Sequence, residues 1–216
     1  MYIAIEGVIG VGKTTLARLL RPVFQTELLL EVFEENPFLS DFYSDRSRYA
    51  FQTQIFFLLS RYQQQHKVVA DLIGAGKGLI SDYTFEKDAL FARINLSGDE
   101  LEMYYRVHYA LAEKIPLPDL IVYLKASTET LMQRIAARDR PYERNMEVGY
   151  IDELNAAYED FYGDYQGTVP VLVIEADQLD YVRNLEDLHQ VENRIRQALK
   201  LPPFQTELPL QKTRIS

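Results

Sequence analysis

Residues 7–14 read Gly-Val-Ile-Gly-Val-Gly-Lys-Thr and match the pattern G-x-x-x-x-G-K-[ST]. The match directly follows an apolar run at residues 2–6 and leads into a helical pattern that begins at residue 13. In this order of strand, loop and helix, glycines let backbone N–H groups turn inward at a helix N-terminus, where negative charge is favoured. The sequence therefore predicts a strand–loop–helix unit that binds the phosphates of a nucleotide.

Short apolar runs rich in β-branched residues recur along the chain and alternate with longer stretches of helical spacing. The runs predict strands at residues 2–6, 28–32, 79–82, 120–125 and 171–175. Helices are predicted at residues 13–24, 37–43, 48–75, 86–94, 98–115, 128–138, 146–166 and 184–199. This alternation indicates an α/β fold, with a five-stranded parallel sheet flanked by helices on both faces. We expect one domain over residues 1–200 and a C-terminal tail over residues 201–216, since Pro202 and Pro203 stop the last helix.

The charge balance limits the partners of the chain. With 23 basic and 32 acidic residues, the formal net charge of -9 disfavours nucleic-acid polymers and acidic membrane surfaces. The absence of cysteine excludes disulfides and thiolate metal sites, so any metal should be ligated by oxygen. The N-terminus has no basic leader and no apolar run of membrane length, and we therefore expect a cytoplasmic protein.

The glycine-rich loop predicts roles for individual residues. Lys13 should reach the β- and γ-phosphates of ATP or another nucleoside triphosphate, and the Thr14 hydroxyl should ligate Mg²⁺. Asp82 ends the third predicted strand, where a P-loop enzyme places the acid that holds this ion, although an acid there can also cap a helix. The rest of the predicted donor site on this loop comprises Gly7, Gly10, Gly12 and Thr15.

A carboxylate follows the second predicted strand. The carboxyl edge of a parallel sheet is where ligands bind in open α/β proteins. Glu31 lies at this edge beside the phosphate loop and could accept the proton of an attacking hydroxyl. The alternative is an acid exposed on a solvated loop.

The segment from Arg134 to Arg144 is rich in arginine. Arg134 and Arg138 are four residues apart on one helical face, and Arg140 and Arg144 lie on the loop that follows. Such a loop can act as a lid whose guanidinium groups stabilise a transferring phosphoryl group. A solvated basic face is the alternative, but this chain is acidic and already has a phosphate loop.

Four motifs in this order resemble the deoxynucleoside kinase family, most closely its bacterial deoxyadenosine and deoxyguanosine kinases, over residues 2–181. They are the phosphate loop, the Glu31 segment, the stretch from Tyr43 through Gln54 to Arg61, and the lid from Arg134 to Glu143. The resemblance implies a P-loop kinase fold with an arginine-rich lid, and transfer of the γ-phosphate of ATP to the 5′-hydroxyl of a deoxynucleoside in nucleotide salvage. Glu31 would be the general base, and Lys13, Arg138 and Arg140 would complete the catalytic set.

The resemblance also implies how the substrates are bound. Tyr43 and Glu143 would hydrogen-bond the 3′-hydroxyl, and Gln54 and Arg61 would read the base together with Asp88. Phe57 and Phe91 are candidates for packing on the base, although aromatic residues at helical spacing are often core. The donor nucleotide would be contacted by Arg134 and by Asp180, in a loop over residues 175–181.

One position departs from the family pattern. Many members carry an arginine after the third strand, where this chain has Tyr83, so its electrostatic role must fall to Arg138, Arg140 or Lys87. Some bacterial members that act on purines resemble this Asp-Tyr form, which favours a purine substrate. The long apolar helix over residues 48–75 further suggests a homodimer, as the resemblance implies.

Two other functions share part of this pattern. A nucleoside monophosphate kinase of the thymidylate kinase type shares the phosphate loop and lid, but it needs a cation for the acceptor phosphate where this chain has Glu31. A P-loop switch protein would need a base-reading Asn-Lys-x-Asp stretch, which the sequence lacks. It would also leave the predicted acceptor site unexplained.

Overall fold

The computed structural model describes residues 1–203, without the side chain of Glu34. Five strands form one parallel sheet in the order β2-β3-β1-β4-β5. The strands are β1 (Tyr2–Glu6), β2 (Glu27–Leu29), β3 (Leu79–Ser81), β4 (Leu120–Lys125) and β5 (Val171–Glu175). The predicted tail, residues 201–216, lies outside the described residues from Phe204 onward.

Helices connect the strands and surround the sheet. The α-helices of the described region are α1 (Lys13–Phe24), α2 (Leu39–Ser44), α3 (Arg46–Gln64), α4 (Ala70–Gly74), α5 (Lys87–Asn95), α6 (Gly98–Ala112), α7 (Thr128–Arg138), α8 (Val148–Gly163) and α9 (Leu185–Ala198). Two short 3-10 turns occur at Phe33–Glu35 and Pro141–Glu143. No helix among residues 1–203 is both long and apolar enough to cross a membrane.

The sheet is buried on both faces, which explains the continuous apolar runs in the sequence. Along β1, Ile3 and Ile5 join the main hydrophobic core, whereas Tyr2 and Ala4 join a smaller one on the opposite face. Val69, between α3 and α4, covers that second face. The predicted α/β architecture is confirmed.

The structure corrects two of the predicted elements. The second strand ends at Leu29 instead of residue 32, because the Glu31 N–H bonds the Asp82 carboxylate instead of a neighbouring strand. The predicted helix over residues 48–75 contains a π-helical turn at Gln65–Val69. Tyr83 lies against this turn, since its hydroxyl donates to Gln64 Oε1 at 2.6 Å.

The sheet order places the functional segments around the central strand. β1 leads into the phosphate loop, with β3 on one side and β4 on the other. Because the strands are parallel, all five carboxyl ends lie along one edge. Glu31 and Asp82 therefore flank the loop on one side, and the segments after β4 and β5 flank it on the other.

Candidate active site

The phosphate loop has a backbone that only glycine tolerates at key positions. Gly10 and Gly12 have φ angles of 90° and 105°, in a region that other residues rarely adopt. A Cβ at Gly10 would lie 2.8 Å from the Leu131 carbonyl oxygen, and one at Gly12 would collide with the Tyr181 hydroxyl. The loop is thus held closely between the helix after β4 and the segment after β5.

Lys13 is the first residue of α1 and lies folded over the loop. Its Nζ donates to the carbonyl oxygens of Gly7, at 2.6 Å, and Val8, at 3.0 Å. Burial, with a further contribution from the nearby Lys87 cation, lowers the pKa of Lys13 to about 8. An ammonium group at this position can shift from loop carbonyls to phosphate oxygens with little movement of the chain.

Thr14 and Asp82 form a hydroxyl–carboxylate pair beside the loop. Thr14 Oγ1 donates to Asp82 Oδ2, and Asp82 Oδ1 accepts the Glu31 N–H at 2.8 Å. No cluster of three metal-binding side chains occurs among residues 1–203. Mg²⁺ usually takes one or two protein oxygens and completes its shell with phosphates and water, so this pair fits it.

Glu31 lies between two cations. Its Oε2 accepts from Lys87 Nζ at 2.6 Å, and its Oε1 accepts from Arg61 Nε at 2.9 Å. Burial alone would raise the pKa of Glu31, but the charges of Arg61 and Lys87 hold it well below its ordinary value. Glu31 is therefore an ionised carboxylate with each oxygen held by a cation.

Arg61 connects Glu31 to the predicted base-reading residues. Its Nη1 donates to Asp88 Oδ1, and its guanidinium lies 4.7 Å from the centre of the Phe57 ring. Gln54 lies on the same helix and is only 2% exposed. No described residue donates to Gln54 Oε1 or to Asp88 Oδ2, so two buried acceptors are left for another partner.

These groups line one cavity of about 700 Å³, including its open mouth. It extends from Lys13 and Thr14 past Glu31 to Gln54. Asp88 is fully buried behind Arg61. The aromatic walls are Phe33, Tyr43, Phe57, Phe91 and Tyr142. The size and the aromatic walls of this cavity are typical of a small-molecule site.

This cavity is also lined by three residues of the predicted lid segment, Arg138, Arg140 and Glu143. Arg138 binds Glu143 through both carboxylate oxygens, each at 2.7 Å from Nη2. Arg140 lies 3.5 Å from the same carboxylate and stacks over Phe33, with its Cζ 4.2 Å from the ring centre. Tyr43 lines the cavity with Glu143, and burial raises its pKa well above the ordinary value. Arg144 instead pairs with Asp139 and is 60% exposed.

A second cavity lies on the other side of the phosphate loop, between α7 and the segment after β5. It is lined by Thr15, Arg134, Asp180 and also by Gly10 and Arg138, which line the first cavity as well. Arg134 donates to the Val11 and Ala176 carbonyl oxygens, at 3.1 and 2.7 Å, and so braces the loop. The two cavities therefore meet at Gly10 and Arg138.

The sequence did not identify several residues of the site. Phe33 and Tyr142 were not assigned roles, because their places depend on the two 3-10 turns. Glu6 was also missed. It is fully buried, accepts from the Gly7 N–H and from the Thr84 and Tyr158 hydroxyls, and ties the loop to two neighbouring segments. A charged residue at the end of an otherwise apolar strand was the signal available.

Known proteins of one family are similar to this chain over most of its length. The family model "Deoxynucleoside kinase" matches residues 3–200. The chain is 36% identical to the deoxyguanosine kinase of Bacillus subtilis (strain 168) over 201 residues, which cover 92% of this chain and 97% of that protein. It is 36% identical to the deoxyadenosine kinase of Dictyostelium discoideum over 178 residues, 80% of this chain and 71% of that one.

A solved structure shares the fold. The deoxyadenosine kinase of M. mycoides, with the products dCMP and a flexible dCDP bound, superposes with a TM-score of 0.81 at 28% identity. The match covers 91% of this chain and all of that one. Sequence, fold and site thus lead to one conclusion. The chain belongs to the deoxynucleoside kinase family.

Proposed function

We propose that this enzyme transfers the γ-phosphate of ATP, with Mg²⁺, to the 5′-hydroxyl of a purine deoxynucleoside. One observation carries the proposal. The ionised carboxylate of Glu31 lies in a cavity that is lined both by the phosphate loop and by Gln54, whose buried Oε1 has no donor among the described residues. A nucleoside in this cavity would place its sugar hydroxyl near Glu31 and its base near Gln54.

In the proposed reaction the 5′-oxygen attacks the γ-phosphorus, and the bond between that phosphorus and the bridging β–γ oxygen breaks to release ADP. Glu31 accepts the proton of the 5′-hydroxyl and later gives it to solvent. Lys13, Arg138 and Arg140 stabilise the charge on the transferring group. Mg²⁺, held by Thr14 and Asp82, would neutralise charge on the β- and γ-phosphates.

The preference for a neutral acceptor follows from the charges around Glu31. Arg61 and Lys87 are both ion-paired with this carboxylate, so an acceptor phosphate would have to compete with Glu31 for either cation. A carboxylate at this position would repel a monophosphate but can hydrogen-bond a hydroxyl. These contacts support a nucleoside acceptor over a nucleoside monophosphate.

The proposed preference for purines is supported by the hydrogen-bonding groups around Gln54 and by the names of two similar proteins. Gln54 Oε1 can accept from an amino group of a purine, and Arg61 with Asp88 offers a donor and an acceptor. The relatives in Bacillus subtilis and Dictyostelium discoideum are named for deoxyguanosine and deoxyadenosine. Tyr43 and Glu143, together at the cavity wall, are proposed to bind the 3′-hydroxyl.

The donor nucleotide is proposed to occupy the second cavity. Thr15, Arg134 and Asp180 line it, and the glycine loop separates it from the acceptor. A donor bound there would extend its γ-phosphate toward Gly10 and Arg138, where the cavities meet. A cytoplasmic location remains a prediction from the sequence.

The direct test measures ADP release from ATP and Mg²⁺ with each deoxynucleoside, ribonucleoside and deoxynucleoside monophosphate in parallel. We expect turnover with deoxyguanosine or deoxyadenosine. Turnover with a monophosphate alone would contradict the proposal. The same assay with other triphosphates measures donor preference.

A further inference from the structure

Lys87 occupies a position that is costly for a lysine. It is the first residue of α5, where the helix dipole disfavours a cation, and only 5% of the residue is exposed. Buried lysines are rare unless paired. Here the partner is Glu31, whose Oε2 accepts from Nζ at 2.6 Å. A buried cation therefore lies beside the proposed catalytic carboxylate.

Three arginines also line this cavity, and each is bound to a carboxylate. Arg61 binds the opposite oxygen of Glu31 and also Asp88. Arg138 and Arg140 contact Glu143. Lys87 is thus the cation on the Oε2 side of Glu31, and it lines the same cavity as Lys13 and Thr14 of the phosphate loop.

The residue after Asp82 cannot supply a charge here. Tyr83 is fully buried in the smaller core, on the face of the sheet that Val69 covers. Its hydroxyl is bound to Gln64. The space beside Glu31 is filled from the next helix instead, by Lys87.

We propose that Lys87 is a catalytic residue that contacts the 5′-oxygen and the transferring phosphoryl group; this rests on the proposed function above. An ammonium group has three N–H donors, and Glu31 takes one of them. A hydroxyl that gives its proton to Glu31 Oε2 would lie next to Lys87 Nζ, which binds the same oxygen. The other two donors can then stabilise charge on the entering oxygen and on the phosphoryl group. Lys87 transfers no proton, and the proton of the hydroxyl goes to Glu31.

The first test uses two variants. Lys87→Met removes the charge and keeps an unbranched side chain of similar length, and Lys87→Arg keeps the charge. We expect Lys87→Met to lower kcat about 10²-fold, as for loss of one aligned donor. KM for ATP and for the deoxynucleoside should stay within about threefold, since the contact forms in the transition state. Lys87→Arg should recover most of the loss. Lys77→Met is the control, because Lys77 is also ion-paired, to Glu27, but is 56% exposed.

A second test separates direct contact from an effect through Glu31. In a Glu31→Gln background, Lys87→Met should lower the remaining kcat by about a further tenfold if Lys87 touches the reacting oxygens. No further loss would mean that Lys87 acts only by positioning Glu31, and would overturn the inference. This background also removes the buried carboxylate that loses one of its two cations in the single variant.

Other outcomes are equally decisive. An unchanged kcat in Lys87→Met overturns the inference. So does a loss that arginine does not recover and that accompanies a lower unfolding temperature, because that pattern assigns a structural role. If the wild-type enzyme turns over no nucleoside, the proposed function fails first. If the wild-type enzyme phosphorylates deoxynucleosides, the results for the Lys87 variants test only the proposed role of Lys87.

Discussion

Glu31 shows how a single carboxylate is prepared for its role by its neighbours. Two cations fix both oxygens, and its backbone N–H holds Asp82 in place beside Thr14. A residue so placed connects the proposed metal pair with the acceptor cavity. Its chemistry, and not only its packing, should therefore determine turnover.

We expect Glu31→Gln to lower kcat about 10²-fold or more while nucleoside affinity changes little, since the amide cannot accept the proton. Steady-state kinetics with calorimetric binding of the nucleoside would measure both. Glu35→Gln is the control, because Glu35 is exposed on the adjoining turn. Unchanged turnover in Glu31→Gln would remove it from the role of general base.

Gln54 offers a test of base recognition. Its buried Oε1 has no donor among the described residues, so replacing it leaves no protein group unpaired. We expect Gln54→Leu to raise KM for the purine deoxynucleoside about 10- to 100-fold, with KM for ATP unchanged and folding stability kept or increased. Gln52→Leu on the exposed side of the same helix should change neither constant. Equal effects on both substrates would argue against base reading by Gln54.

At the scale of elements, the sequence predicted most of the scaffold. Predicted and observed bounds agree for β1, β4 and β5, because buried parallel strands are continuous apolar runs. Ser127 caps α7 by accepting the Thr130 N–H, as a capping residue before an apolar stripe predicts. The π turn at Gln65–Val69 had no local signal, because it packs against a distant segment near Tyr83.

The candidate site, like the scaffold, could be predicted where its residues lie on regular helices and strands. Residues on regular elements, such as Lys13, Gln54 and Arg61, could be placed from spacing and motif. Phe33 could not, since its position depends on a 3-10 turn that is set by tertiary contacts. The sequence also left open whether Arg138, Arg140 or Lys87 takes over the role of the family's arginine, because the three lie on different elements.

The lid provides a matched pair of arginines. Arg140 lines the acceptor cavity, whereas Arg144 pairs with Asp139 outside it. We expect Arg140→Ala to lower kcat about 10²-fold, since an arginine that neutralises a transferring phosphoryl group contributes at least this much. Arg144→Ala should stay within about twofold, because an exposed ion pair contributes little. Similar losses in both variants would mean that the arginines act on lid folding instead of on the phosphoryl group.

At the scale of the whole molecule, the surface carries apolar side chains that one chain leaves uncovered. α3 and α6 pack against each other, and Leu59 on α3 is 44% exposed. On α6, Met103 and Tyr109 are 49% and 63% exposed. A pair of adjacent helices with such residues is suited to bury them against a second copy with two-fold symmetry.

We therefore predict a homodimer that forms through α3 and α6, with a sedimentation mass twice that of one chain. Leu59→Arg should shift the protein toward the monomer, because a charge buried at a two-fold interface faces its own copy. Leu185→Arg is the control, since Leu185 is 67% exposed on α9, away from both helices. Sedimentation velocity over a range of concentrations measures the effect. A wild-type protein that is monomeric throughout would contradict the prediction, whereas a dimer that both variants leave intact would place the interface on another surface.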